Sequence, residues 1–475
     1  MNFEVIIGIE IHCELKTKTK MFSGAPVSFG ELPNTCTNEI DLAHPGTLPH
    51  VNKEAIAYAL KTVAALNCKV DPVVRFDRKN YYYSDLPKGY QITQQFHPIG
   101  SDGYLMISTT DGEKKIRINR IHMEEDTAKQ FHELAGTAID FNRAGTPLIE
   151  IVSEPDIRTG QEAAAYVTAL KEVLEYLDVS DAKMEEGSIR CDVNISLRPY
   201  GYDKFGAKVE VKNLNSTSNI QKSIEYEIAR QSQVILSGGV IDQETRRFDE
   251  EKRATISMRK KEGAVDYKYF PEPNIPPIRL EESWINSVLK DMPELPSARK
   301  ARYLELGLSE YDTNLLVANK ALSDYFEEVL KHTQQVKLAA NWMITEVLSV
   351  LNKTGKTLTE INLNPLHLAQ MIEMIVGNEI SSKQAKLVFE ELLKGKDPKT
   401  VVKEQGMEQV SDTASILQMI CEVLEEQPQA IEDYRNGKDR AVGFIVGQIM
   451  KKSKGQANPG ITNKLVVEEL KKRIG

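Results

Sequence analysis

Apart from Ile6, residues 3–15 alternate between apolar and polar positions. Phe3, Val5, Ile7, Ile9, Ile11, Cys13 and Leu15 fall on one side, and Glu4, Gly8, Glu10, His12 and Glu14 on the other. A side-chain period of two specifies a strand with one buried face. The pattern returns where Ile189, Cys191, Val193, Ile195 and Leu197 oppose Arg190, Asp192, Asn194 and Ser196, and again in Lys208-Val209-Glu210-Val211-Lys212. Together with Met123-Glu124-Glu125-Asp126, these segments predict a sheet whose polar face carries several carboxylates that nothing local neutralises. A single carboxylate on the wet side of a strand is ordinarily just hydrated. Spacing is what sets this group apart: Glu10 with His12, Asp192 with Asn194, Glu210 with two lysines. Such a face calls for a cation, and hard oxygen donors favour Mg²⁺. Magnesium with nucleotide phosphates is the usual machinery of phosphoryl transfer.

At 475 residues the chain is too long for one ordinary domain. Residues 1–292 are rich in alternation and turns, with helical interludes at 53–66, 160–177 and 220–236. Tyr269-Phe270-Pro271-Glu272-Pro273-Asn274-Ile275-Pro276-Pro277 must be extended, because proline stops a helix. Past Pro293 and Pro296 the pattern turns helical. Leu315, Leu316, Ala318, Leu322, Tyr325, Phe326 and Leu330 form one apolar stripe, and Ala340, Trp342, Met343, Val347 and Leu351 another. The expected architecture is α+β: a catalytic domain over 1–292, a helical domain over 293–405 and a small helical tail over 406–475. A net charge of −9 argues against a protein that coats nucleic acid indiscriminately. The tail is different, with ten Lys/Arg against five Asp/Glu from residue 431 onward. A basic segment in an acidic whole suits a defined polyanion. Five scattered cysteines without a Cys-x-x-Cys predict reduced thiols in a cytoplasmic protein, and no apolar run is long enough for a membrane span.

Three further motifs carry charge or rings. In the segment Phe76 to Gln91, Arg78, Lys79 and Lys88 alternate with Tyr81, Tyr82 and Tyr83 across a turn. Rings there can stack on a base and cations can hold phosphate, or the tyrosines can pack as an edge strand. Arg143, in Asn142-Arg143-Ala144-Gly145, suits either a bidentate anion clamp or a structural ion pair. Near the C-terminus, Gly443 and Gly447 lie four apart on a helix, where they permit close helix approach, ahead of Lys451, Lys452 and Lys454. No P-loop or protein-kinase signature is present, and Cys13 and His12, adjacent on a strand, point to opposite faces and form no nucleophile–base pair.

Nearly end to end, the chain resembles the B subunits of aspartyl/glutamyl-tRNA amidotransferases. The resemblance rests on Gly8-Ile9-Glu10-Ile11-His12, the Phe76–Gln91 segment, His122-Met123-Glu124-Glu125-Asp126, the run from Arg143 to Glu150, the run from Lys183 to Asn194, Lys212-Asn213-Leu214-Asn215-Ser216, and Lys454-Gly455-Gln456-Ala457-Asn458-Pro459. It implies a glutamine synthetase-like, antiparallel-sheet cradle as the catalytic domain. It implies a heterotrimer with an amidase (A) subunit and a small C subunit. The implied reaction is ATP-dependent phosphorylation of the side-chain carboxylate of Glu-tRNA(Gln) or Asp-tRNA(Asn), then amidation by ammonia from the partner.

On that resemblance Glu10, His12, Glu124, Glu125, Asp192 and Glu210 are expected to hold Mg²⁺. Glu10, His12, Glu125 and Lys79 are expected to act in catalysis. Lys79, Tyr81, Tyr83, Lys88, Arg143 and Asn194 are expected to bind ATP or substrate, and Lys451, Lys452 and Lys454 the tRNA. His12 serves either as ligand or as base. Many relatives carry four cysteines after the first strand, consistent with structural zinc. Here the 23–52 segment holds only Cys36, so no zinc is expected. Packing has to hold that turn instead, with Pro45-Gly46-Thr47-Leu48-Pro49 as the candidate segment. A competing reading is an RNA-binding scaffold with a vestigial acidic pocket, and another is a free-standing ligase acting on an amino acid.

Overall fold

The computed structural model describes residues 3–133, 136–260, 266–407, 413–438, 440–453 and 456–474. The chain divides into two compact units, 1–296 and 297–475. The first is built on a nine-stranded sheet. From one edge to the other its strands are Ala254–Lys260, Glu244–Asp249, Val209–Leu214, Ile189–Pro199, Phe3–Glu14, Pro147–Ser153, Gly112–Glu125, Gly100–Thr109 and Lys69–Val70. All neighbours are antiparallel except Val209–Leu214 with Glu244–Asp249. The alternating first segment is thus a central strand.

Three helices cover the apolar face. Lys53–Ala65 is capped by the Asn52 side chain, Gly160–Tyr176 by Thr159 and Thr217–Leu236 by Ser216. The Ser216 cap starts the third helix three residues before the apolar pattern announces it. Ala59, Leu60, Val63, Tyr166, Leu170, Leu174, Ile220 and Ile224 are buried in one core with Ile7, Ile9, Ile11, Ile151 and Val193. Burial of this size is the main stabilising term of the unit. Gly103 permits one close approach, since a Cβ there would stand 2.2 Å from Cys68 Sγ and 2.5 Å from the Leu66 carbonyl oxygen.

With one face covered, the opposite face carries the polar side chains. A small three-stranded sheet (Phe270–Pro271, Asp77–Asn80 and Tyr90–Thr93) is tied to the end of Gly112–Glu125. There Gln91 donates to the Glu125 carbonyl at 2.7 Å and the Ile92 amide donates to the Glu125 carboxylate at 3.0 Å. Polar ties help to fix the loop that holds Cys36, in which Ala25 and Cys36 are buried while Pro45, Gly46 and Leu48 are exposed. Lys20, fully buried, pairs with Asp41 at 3.2 Å, and Asn142 accepts the Cys36 amide at 2.8 Å.

Among its described residues the second unit is built from helices, with no strand longer than a single bridge residue. The expected single stripe over 315–330 is two helices, Glu310–Val317 and Lys320–Leu330, because Asn319 caps the second with its side chain. Val336–Trp342 passes through a π-turn at Met343–Val347 into Leu348–Thr354. Thr413–Glu426, Pro428–Arg435, Arg440–Lys452 and Pro459–Ile474 enclose their own core of Ile416, Ile420, Ile445, Ile449, Val466 and Leu470. Gly443 and Gly447 play no part in that packing: a Cβ on either would meet nothing within 4 Å. Among the described residues no helix is long and apolar enough to cross a membrane.

Candidate functional site

Register alone brings four polar side chains into one row. Arg190 stands opposite His12, His12 opposite Glu150, and Glu150 opposite His122, across four adjacent strands. Glu124 follows His122 on the same face. His12 Nε2 lies 3.5 Å from Glu124 and 3.5 Å from Glu150, and His122 Nε2 lies 3.0 Å from Glu150. Burial alone would push both imidazoles down. The Glu150 and Glu124 carboxylates outweigh it, so His12 is raised above its ordinary value and His122 is pushed up to about 9. Conversely, burial would raise the two acids, but the imidazoles hold Glu124 below the usual carboxylate range and Glu150 well below it. The two acids and the two imidazoles therefore favour one another's charged forms in a largely buried pocket.

One step along the first strand is a second group. Glu10 faces Asp192, and Asn194 faces both Gly8 and Glu210. The carboxylate oxygens of Glu10, Asp192 and Glu210 lie within 4.8 Å of one another, as do the donor atoms of His12, Glu124 and Glu150. Asn194 donates to Glu10 at 2.9 Å and Thr245 to Glu210 at 2.9 Å. Lys212 pairs with Asp192 at 2.5 Å and Glu210 at 3.1 Å. It projects here beside a bulge in which the pairing skips a residue and Asn213 takes a left-handed conformation, φ 63°. Burial, together with the Glu150, Asp192 and Glu210 charges, raises Glu10 despite nearby Lys208. Three oxygen donors converging with too little positive charge suit a hard divalent cation.

Other expected residues are placed apart from these groups. Glu125 is in neither. Its carboxylate binds Lys88 at 2.5 Å and the Ile92 amide. Neighbours on a strand point to opposite faces, so Glu124 and Glu125 cannot both enter one pocket. The single acidic pocket expected from the sequence is therefore two adjacent groups, with Glu125 and Lys88 paired outside them. Arg143 donates to the carbonyls of Thr127 and Ala128, each at 3.0 Å, and stands 3.6 Å from Asp126. Lys79 lies over the rings of Tyr267 and Tyr81, at 5.0 and 5.8 Å from their centroids, and Tyr83 packs against Tyr81. In the tail, Lys451 is exposed, Lys452 is engaged by Glu422 and Glu426, and Lys454 lies outside the described residues.

Sequence reasoning does not single out Glu150, His122 or Arg190 for the site. The signal is present all the same: Glu150 is the one acid in the apolar run Pro147–Ser153, and His122 and Arg190 sit in phase with Glu124 and Asp192. Arg190 binds Asp126 at 2.5 Å beside His12. Nearby Glu14 is raised to about 7 by burial and by the Asp126 charge.

Comparison with known proteins gives the context for this geometry. The family described as GatB/GatE catalytic domain matches residues 5–286, and the GatB domain matches 324–470. Over 476 residues, covering all of both chains, the protein is 53% identical to the B subunit of the aspartyl/glutamyl-tRNA(Asn/Gln) amidotransferase of Geobacillus thermodenitrificans, and equally to that of Bacillus cytotoxicus. The Bacillus cereus protein of the same name is 52% identical over 475 residues, again covering the whole of both. With a catalytic-domain match over most of the strand-rich unit and full-length identity above one half, the chain belongs to the family of aspartyl/glutamyl-tRNA(Asn/Gln) amidotransferase B subunits.

Proposed function

We propose that this chain uses ATP to activate the side-chain carboxylate of Glu-tRNA(Gln), Asp-tRNA(Asn) or both, for amidation by ammonia. A free carboxylate is a poor acyl donor. Its oxygen attacks the γ-phosphorus, ADP departs, and the resulting acyl phosphate carries a good leaving group. Ammonia then attacks the acyl carbon, phosphate leaves, and the amide stays on the tRNA. The ammonia comes from a partner amidase subunit, with a small third subunit completing the assembly.

The observation that carries this reading is the convergence of Glu10, Asp192 and Glu210 next to His12, Glu124 and Glu150. Glu10, Asp192 and Glu210 fit Mg²⁺, being all oxygen donors with a single paired lysine. Bound there, the ion would neutralise charge on the transferring phosphoryl group. Asn194 orients Glu10, and Lys212 holds Asp192 and Glu210 close enough to act together. Glu124 and Glu150 beside His12 favour its protonated form, whereas a metal ligand or an acceptor of the proton from attacking ammonia has to be the neutral imidazole. Lys79, with no carboxylate paired to it among the described residues, is available to a phosphate or substrate carboxylate. Zinc has no role in this reading, since Cys36 is a lone thiol in its loop. We assign catalysis to a glutamine synthetase-like cradle over 1–292, and tRNA contact to the tail over 406–475, joined by the helical 293–405.

The test is an amidation assay on mischarged tRNA with the full chain and its partner amidase. Glu10→Gln is expected to abolish ATP-dependent amide formation while tRNA binding survives. Undiminished amide formation by that variant would overturn the assignment.

A further inference from the structure

Five aromatic rings form a continuous ladder beside the acidic groups. In order they are Tyr83, Tyr81, Tyr267, Tyr269 and Phe96, with successive centroids 6.3, 6.0, 6.0 and 6.2 Å apart. Their planes are inclined by 62–75°, so no ring closes off its neighbour by stacking flat upon it. The middle rings are half-buried, while Tyr83 and Phe96 at the two ends are each 57% exposed. The middle lies near the candidate site: Tyr81 feels the charge of Glu124, and Tyr269 the charges of Glu124 and Glu150. Lys79 stands over Tyr267 and Tyr81, and among the described residues it makes no ion pair.

A second feature holds the ladder in place. Lys268, between Tyr267 and Tyr269, has φ 45°, a left-handed conformation that a side-chain-bearing residue rarely adopts. Asn80 fixes it, donating from its side chain to the Lys268 carbonyl at 2.7 Å and from its amide to the Tyr267 carbonyl at 3.0 Å. Strain kept in place by specific hydrogen bonds collects at sites of function. The open ends of the ladder and the unpaired Lys79 leave the cluster accessible to a ligand.

We propose that this ladder is the track on which the single-stranded 3′ end of the RNA substrate lies, with bases against the rings and a phosphate on Lys79. The inference rests on the function proposed above and adds the path by which the substrate reaches the site. Two considerations favour a strand over the base of ATP. Five rings with two open ends exceed what one base can cover. A substrate that is the tip of a long polymer also has to enter from solvent along a surface. Stacking on aromatic faces is tolerant of base identity, and a lone cation supplies the phosphate contact.

The test is titration of the full chain, in complex with its partners, with a short single-stranded RNA ending in a 3′-adenosine, and separately with ATP and Mg²⁺. Tyr267→Ala and Phe96→Ala are expected to weaken RNA binding about 5- to 150-fold, the worth of one stacked base. Tyr267→Phe should bind normally, and ATP affinity should stay the same in all three. A parallel loss of ATP affinity would mean that the ladder holds the base of ATP, and unchanged RNA affinity would mean that it is packing. Either result overturns the proposal. Phe96 is half-exposed, so its variant decides the matter if Tyr267→Ala fails to fold. RNA binding is read without turnover, so a wild-type protein that binds RNA but forms no amide would refute the proposed reaction and leave the track intact.

Discussion

Replacing Glu10 with glutamine should stabilise the protein while removing its activity. Glutamine keeps the shape and can still accept the hydrogen bond from Asn194, so the change removes one charge. Glu10, Asp192 and Glu210 hold their oxygens within 4.8 Å of one another. Two unit charges at that separation repel by about 3.5 kcal/mol at an effective dielectric of about 20, and Glu10 takes part in two such pairs. Lys212 offsets part of this, and water screens more because the three side chains are only partly buried. A net gain of roughly 1–3 kcal/mol remains. For a unit of this size that raises the unfolding midpoint by roughly 2–6 °C in metal-free buffer. Magnesium should raise the midpoint of the unaltered chain, by about 2.7 kcal/mol of stability at a hundredfold excess over its dissociation constant. Glu10→Gln should lose most of that increment. The assay is thermal unfolding with chelator and with Mg²⁺, alongside amide formation. A lower metal-free midpoint together with an undiminished magnesium increment would show that Glu10 is a satisfied structural acid and refute the reasoning.

Elsewhere, Glu227 is buried and held by Arg230 and Gln231, each within 2.9 Å, and by Thr255. Burial would raise its carboxyl, but these hydrogen bonds hold it below the usual range. Its contribution is therefore present above the unfolded value of about 4.3 and is lost as pH falls through its lowered folded value. Glu227→Gln should cost about 3–5 kcal/mol at neutral pH and flatten the acid limb of the stability profile, measured by denaturant unfolding. Gly447→Ala should stabilise the tail by about 1 kcal/mol, since a Cβ there meets nothing, whereas Gly103→Ala should cost about 1–3 kcal/mol or more, read by thermal unfolding. Lys451→Ala should lower the salt dependence of tRNA binding by about one unit of slope, while Lys452→Ala should change it less, because Glu422 and Glu426 already hold that lysine.

Strand content is legible where alternation is strict. Phe3–Glu14 and Ile189–Pro199 can be read at once, because each puts an unbroken apolar row opposite a polar one. Their mutual pairing is not written locally. Glu10 meets Asp192 only through a register fixed by residues nearly two hundred positions apart. Glu125 is misplaced when adjacent acids are treated as one cluster, because the pleat separates them. Glu150 is hidden for a related reason. A single acid in a short apolar strand looks incidental until register sets it between His12 and His122. The stripe over 315–330 reads as continuous because hydrophobic period ignores a cap such as Asn319. Family resemblance names the acids that belong together, but it does not say which of them share a pocket.

The central place of Phe3–Glu14 has a consequence during synthesis. This segment is made well before both of its flanking strands, Pro147–Ser153 and Ile189–Pro199. At ordinary elongation rates, the second of them follows about ten to forty seconds later. Throughout that wait a row of isoleucines and both edges of a β-segment stand without their native neighbours, which invites association with other nascent chains. Newly made copies will therefore need a holding chaperone over this segment, and a message truncated before residue 189 will yield insoluble product.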